Sequence, residues 1–314
     1  MSQNYTADLE HYTPDNVPPE VEAYGGKIDQ LGVGRPGKLG GLLLRLERDE
    51  YNGKTSVKEQ YSKVPLYTQR ALYQEEALPS MAYMYIISPS GGMLQGDRYR
   101  MDITLRNNAS AHITTQGATR VYRMEKNYAT QIVNIDVGED CYFEYIPDQI
   151  IPYINSRFYQ IANIKVHDSA TMLYSEIMVP GRVASGESFQ YDICYMKAVG
   201  KNQNDDLRFV DVAILEPKKR NMKYFGVMEG YETIGNMYIM TPKKHVEELN
   251  QQINEALGNF ANLYAGATIL PNDSGVMIRM LGDQFSTLRN AIFEVVRITR
   301  KKILNAPFSG IRKG

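Results

Sequence analysis

The sequence predicts a mainly β protein built of stacked β-layers, with two α-helices toward the C-terminus. Three observations carry that expectation. From Gln131 onward, short segments rich in Ile, Val, Tyr and Phe follow one another, among them QIVNIDV, CYFEYI, FYQIANIKV, TMLYSEIMV, FQYDICYMKAV and LRFVDVAIL; this is strand composition, with short turns between strands. Three similar turns, Asn107-Asn108-Ala109, Gly138-Glu139-Asp140 and Asp168-Ser169-Ala170, each lie between two such segments. They recur roughly every thirty residues, a period that signals stacked units. Two stretches switch to the helical period: 242–257, with Val246, Leu249, Ile253 and Leu257 as its stripe, and 286–304, with Leu288, Ile292, Val295, Val296 and Ile303.

Taken in order, residues 1–36 are poor in apolar periodicity and hold Pro14, Pro18, Pro19, Gly25, Gly26 and Gly32. Such a segment offers little burial to offset its ordering entropy, so it reads as a mobile N-terminal tail ahead of a single β-rich domain over 37–314. Gly32, Gly34 and Gly37 form a G-x-G-x-x-G, but no strand precedes it and Pro36 lies inside it, so it reads as a linker and not a dinucleotide loop. GKLGGLLLRLERDE gives a first strand by the alternation of Leu42, Leu44 and Leu46, and a second follows in GKTSVKEQYSKV before Pro65.

Ser88 to Met124 is the stretch richest in turn chemistry and polar side chains. Gly91-Gly92 frees the backbone for positive φ, and Gly96-Asp97 marks a second turn. Met101, Ile103 and Leu105 then alternate with Asp102, Thr104 and Arg106, the period of a half-buried strand. After Asn107-Asn108 a return strand carries Ala109, Ala111 and Ile113 against Ser110, His112 and Thr114, which reads as a hairpin. Thr241 and Ser286 are the expected N-caps of the two helices. The basic end of the second, Arg297, Arg300, Lys301 and Lys302, complements the helix dipole and reads as a solvated terminus.

Thirty-five basic residues balance 36 acidic ones for a net charge of −1 over 314 residues, so no global field draws the protein to nucleic acid or an anionic membrane. Cys141 and Cys194 have no ligand spacing and read as buried thiols of a reducing compartment. With no apolar segment of membrane-spanning length and no signal-peptide pattern, the expected location is cytoplasmic.

Hydrolase, zinc-peptidase and phosphate-loop signatures are absent, and the four histidines sit apart with no second ligand at metal spacing. The carboxylates Asp97, Glu144, Asp148, Glu176 and Asp211 are different, because they fall in or beside apolar strands, where a lone charge is costly. Glu144 and Glu176 follow recurrent turns at similar offsets, so stacking could bring them to one face. Either these carboxylates pair with arginines such as Arg98, Arg120, Arg157 or Arg182, or several of them line a wet passage that holds a divalent ion loosely through oxygen.

GGMLQGDRYRMDITL followed by HITTQGATRVYRM, then FEYIPDQIIPYINSRFYQ, YSEIMVPGR and YAGATILPNDSGVMIRMLG, resemble the motifs of the urease accessory protein family UreD, also called UreH. The resemblance runs from about Gly37 to Ile303, with Gln95 standing where the family commonly has a second glycine. It implies a β-helix-like stack of two sheets with helices near the C-terminus, and a non-enzymatic maturation factor that, with a UreF-like adaptor and a UreG-like GTPase, delivers nickel to apo-urease. No tightly bound cofactor is implied; nickel is the cargo, and its path is implied to pass Asp97, Glu176 and Asp211, with Glu144 and Asp148 as weaker candidates. Two alternatives stand beside it: a β-helical carbohydrate-active enzyme, lyase or hydrolase, working through paired carboxylates such as Glu144 and Asp148, and an interaction scaffold that never touches metal.

Overall fold

The structure is a computed structural model that describes residues 8–26 and 37–311. Two short helices, α1 (Leu9–Tyr12) and α2 (Pro19–Glu22), precede the sheets. The strands β1 (Leu39–Arg48) and β2 (Thr55–Lys63) pair antiparallel, and β3 (Tyr67–Thr68) with β4 (Ala82–Ile87) begins a second sheet. The chain then winds. One turn is β5 (Arg98–Arg106), β6 (Ser110–Thr115) and β7 (Thr119–Val121); the next is β8 (Ala129–Val137), β9 (Tyr142–Tyr145) and β10 (Ile150–Pro152). A third adds β11 (Arg157–Val166) and β12 (Thr171–Met178), and β13 (Ile193–Asn202) starts a fourth before β14 (Leu207–Leu215) folds back on it. Finally β15 (Thr233–Met240), α3 (Val246–Leu257), β16 (Leu263–Ile269), β17 (Gly275–Gly282) and α4 (Phe285–Leu304) complete the second sheet and its cover.

Two sheets result, in the orders β14-β13-β11-β8-β5-β1-β2 and β16-β17-β15-β12-β9-β6-β4-β3, with β7 and β10 attached beside β12. Stacking of turns makes the central pairings parallel, as in β5 with β8, β8 with β11, and β6 with β9. The predicted mainly β, layered architecture with C-terminal helices is therefore the observed one, and the thirty-residue recurrence is its winding period. The three recurrent turns occupy one corner, each passing from the first sheet to the second. There Asn107, Asn108 and Asp140 take φ of 57°, 54° and 52°, a left-handed geometry that Asn and Asp tolerate better than most residues.

This corner also corrects the expected hairpin. β5 and β6 do not pair with one another; they lie in different sheets and face each other across the core. Met101, Ile103 and Leu105 meet Ala111 and Ile113 there, and burying each large apolar side chain is worth about 1.5–3 kcal/mol. Alternation along each strand was legible, whereas the choice between a hairpin and a corner was not. The second face of β6 is also buried, His112 and Thr114 included, because α3 and α4 cover the outside of the second sheet through the stripes Val246, Leu249, Ile253, Leu288, Ile292, Val295 and Val296.

Three further expectations change. Residues 8–26 do find burial: Tyr12 and Val21 are fully enclosed, and Val21 joins Tyr128, Tyr159, Ile193 and Tyr195 in a satellite core on the first sheet. The remainder of the expected tail, 1–7 and 27–36 with Gly32 and Gly34, lies outside the described residues. Neither expected N-cap holds, since α4 begins at Phe285 with Ser286 already inside it. A 3-10 turn, Lys243–His245, precedes α3, and the Thr241 hydroxyl is 2.8 Å from that of Thr171. Arg300 is not solvated: it is fully buried. Both cysteines are buried free thiols. Among the described residues no helix is long and apolar enough to cross a membrane.

Candidate functional site

Between the two sheets lies a cavity of about 400 Å3, rimmed by Gly91, Gly92, Gly117, Arg120 and Asp148. Its rim is built by close backbone approach: Met93 N–H donates to Arg120 O (2.8 Å) and Tyr122 N–H returns a bond to Met93 O (2.9 Å). A Cβ on Gly92 would stand 2.7 Å from that same Arg120 oxygen, so glycine is what lets the Gly91-Gly92 loop seat against the Thr119–Val121 strand. Gly91 itself has φ of 79°.

The depth of the cavity is polar on one wall and phenolic on the other. Gln131 and Gln160 are register partners on β8 and β11, and both project inward from otherwise apolar strands. Gln131 Nε2 donates to Gln160 Oε1 (2.8 Å), and Gln160 Nε2 donates to Glu176 Oε1 (2.6 Å). Opposite them Tyr145, Tyr174 and Tyr238 align across β9, β12 and β15, with Tyr145 and Tyr174 stacked at 5.7 Å. Tyr174 Oη also donates to Glu176 Oε1 (2.6 Å). Both of these bonds go to Oε1, and Glu176 lines the cavity. Burial pushes this carboxyl above its ordinary value; the bonds from Tyr174 and Gln160 oppose that rise, and the nearby negative charge of Asp211 adds to it.

Asn236 is the direct cross-strand partner of Glu176 and lies on the same face. It is 2% exposed, and its Oδ1 is buried with no partner among the described residues. The next strand over places Arg279 opposite Asn236. Arg279 Nη2 binds Asp211 Oδ2 at 2.7 Å, and Tyr238 Oη donates to that same oxygen at 2.6 Å. Asp211, on β14, is thus half-buried at the far end of a line of oxygens that begins at the cavity.

The other predicted carboxylates stand elsewhere. Asp97 is fully buried and does not line the cavity. It accepts from the backbone N–H of Lys38 and of Leu94, both at 2.8 Å, and pairs with Lys38 Nζ at 2.8 Å. Arg98 leaves it to Lys38 and instead donates to the carbonyls of Asp97 and Tyr128. Glu144 lies on the opposite face of the second sheet from Glu176, because Glu144 is in register with Leu173 and one step along a strand reverses the side chain. There it accepts two bonds of 2.6 Å from Arg300, one of 2.8 Å from Tyr142 Oη, and lies 2.5 Å from His112 Nδ1. Burial would raise the Glu144 carboxyl, but Arg300 and then His112 outweigh it and hold it at about 2. Asp148 stands at the cavity rim, so Glu144 and Asp148 are no catalytic pair. Among the described residues no three His, Cys, Asp or Glu side chains converge on a metal-binding point.

Gln131, Gln160 and Asn236 were missed in the sequence, and Arg300 was read there as solvated. Signals for three of these four were present. Gln131 and Gln160 interrupt apolar parity one winding period apart, and Arg300 continues the i, i+4 series Leu288, Ile292, Val296 that defines the buried side of α4.

The profile of the family described as UreD urease accessory protein matches residues 39–313. A "Urease accessory protein UreD" of Cenarchaeum symbiosum is 41% identical over 91% of this chain and 100% of its own length. A "Urease accessory protein UreD 2" of Brucella canis is 36% identical over 91% of this chain and 95% of its own, and the UreD of Yersinia enterocolitica is 36% identical over 91% and 89%. With a profile match along nearly the whole domain and relatives 36–41% identical over 91% of its length, the chain belongs to the UreD family of urease accessory proteins.

Proposed function

We propose that this protein is a urease maturation scaffold and not an enzyme. It docks on apo-urease, binds a UreF-like adaptor and through it a UreG-like GTPase, and conducts nickel through the intersheet cavity. GTP hydrolysis belongs to the partner. The route runs from the rim at Asp148 past Glu176 and Asn236 to Asp211, while Asp97 and Glu144 serve the fold through their buried ion pairs. The observation that carries this reading is the buried Asn236 Oδ1, with no partner among the described residues, on the strand next to Glu176, which lines the cavity. A buried polar atom without a partner costs free energy unless water or a ligand meets it. Carboxylate, amide and water oxygens hold a late first-row divalent ion less firmly than imidazole or thiolate, which suits passage over storage.

The test compares Glu176→Gln and Asp211→Asn with wild type for melting temperature, co-purification with adaptor and GTPase, and nickel content of the urease produced. Intact complexes that deliver less nickel are the expected result. Joint loss of stability and assembly, or unchanged nickel loading, would overturn the route.

A further inference from the structure

We propose that His112, Glu144, Arg300 and Glu75 form a pH-sensitive latch, which balances its charges and holds the C-terminal segment 305–311 in place only while His112 carries a proton. The cluster lies on the outer face of the second sheet, beneath α4. Tyr83, His112 and Glu144 are register neighbours across β4, β6 and β9. His112, Glu144 and Arg300 are fully buried, and Glu75, from the segment between β3 and β4, is 8% exposed.

Charge balance fixes the proton. Two carboxylates face one guanidinium: Arg300 gives Glu144 two bonds of 2.6 Å and lies 3.4 Å from Glu75. With a neutral imidazole the enclosed cluster carries one net negative charge; with an imidazolium it carries none. Uncompensated charge away from water is expensive, so the folded protein favours the protonated ring. His112 Nδ1 stands 2.5 Å from Glu144 Oε2, a spacing as short as charge-assisted bonds make. Tyr83 stacks on the imidazole at 5.2 Å, Phe308 lies 6.5 Å from it, and Tyr142 Oη donates to Glu144. Burial raises both the Tyr83 and the Tyr142 phenol above the ordinary value, so neither changes charge near neutral pH.

The latched segment follows α4 and has no regular structure. It turns back over the cluster. The Phe308 ring lies 4.5 Å from the Arg300 guanidinium and meets Phe293 edge-on at 5.4 Å, and Ser309 Oγ donates to Glu75 Oε1 at 2.8 Å. A cavity of about 280 Å3, lined by Gln74, Glu75, Glu76, Ser309 and Gly310, lies along this seam. Once His112 loses its proton, the excess negative charge is relieved by water, and the seam admits water to Glu75 without breaking a sheet or a helix. The sign follows: the folded form holds this proton more readily than the unfolded chain does. Its contribution is complete below the ordinary imidazole value of about 6.5 and is lost as pH rises above it.

The experiment uses the full chain as wild type, His112→Gln and Glu75→Gln. Nitrogen NMR of histidine-labelled protein reads the ring protons, and the chain has four histidines, so His112 is assigned by its absence from His112→Gln. In wild type His112 should be doubly protonated at pH 7. As it deprotonates at higher pH, hydrogen-exchange protection of 305–311, corrected for the intrinsic rate, should fall by up to about tenfold per pH unit, the limit for one linked proton. Glu75→Gln leaves Glu144 and Arg300 balanced beside a neutral ring. Its His112 should titrate at lower pH, and its C-terminal segment should stay protected at pH 8.5. A neutral His112 in wild type at pH 6 would overturn the proposal. So would deprotonation with no loss of protection in 305–311, and so would a pH step in Glu75→Gln equal to that of wild type.

Discussion

Two buried glutamates of this protein are set in opposite states by what surrounds them. Glu144 meets Arg300, His112 and Tyr142, and its carboxyl is held at about 2, below the ordinary 4.5. The folded form therefore binds its proton less readily than the unfolded chain does. The stability this contributes is complete above the ordinary value and is lost as pH falls from there toward 2. Glu176 is shifted upward, so its folded form holds the proton more readily, and stability falls as pH rises through the interval above the ordinary value. Amide variants should consequently diverge. At pH 7 Glu144→Gln removes the nearer of the two buried counter-charges of Arg300, leaving Glu75 at 3.4 Å, and should cost about 3 kcal/mol, the deficit narrowing below pH 4.5. Glu176→Gln should be neutral or stabilising. Urea unfolding of both variants at pH 7 and pH 4 checks the signs, and a large loss in Glu176→Gln would refute them.

At the scale of elements, the N-terminal segment is the clearest departure from its composition. α1 and α2 are each too short to be stable alone, but tertiary contacts hold them. Asp8 caps α1 by accepting the Glu10 N–H at 3.1 Å, Lys63 Nζ lies 4.7 Å over the Tyr12 ring, and Arg100 donates to His11 O at 3.0 Å. Tyr128 Oη donates to Glu22 at 2.7 Å, and Arg157 stacks over Tyr24 at 4.7 Å. Tyr12→Ala should therefore cost about 3–5 kcal/mol, as for a core aromatic; an unattached tail would show no change. Thermal unfolding of this one variant decides between the two.

The whole molecule is a winding with covered middle turns and open ends. β8 and β11 each have parallel neighbours on both sides, whereas β2, β14 and β16 are edge strands. Native-state hydrogen exchange should accordingly find β8 and β11 the most protected and the three edges the first to exchange. Protection of β14 in the isolated chain to the level of β8 would contradict the open end described above.

Strand alternation, the winding period and the two helical stripes were legible in the sequence because they depend on side-chain periodicity along a continuous segment, and the whole-domain resemblance was carried by contiguous motifs. The nature of each carboxylate was not. Glu144 and Glu176 look alike in sequence, each within two residues of a tyrosine in an apolar strand. A three-residue offset in register, an odd number, sends one toward α4 and the other into the cavity, and the Arg300 that fixes Glu144 is 156 residues away. Likewise Asn236 became part of the candidate site only when β15 paired antiparallel with β12. Periodicity is a local property and survives in the sequence; burial, counter-charge and cross-strand neighbours depend on which distant segments meet, and only the tertiary structure decides that.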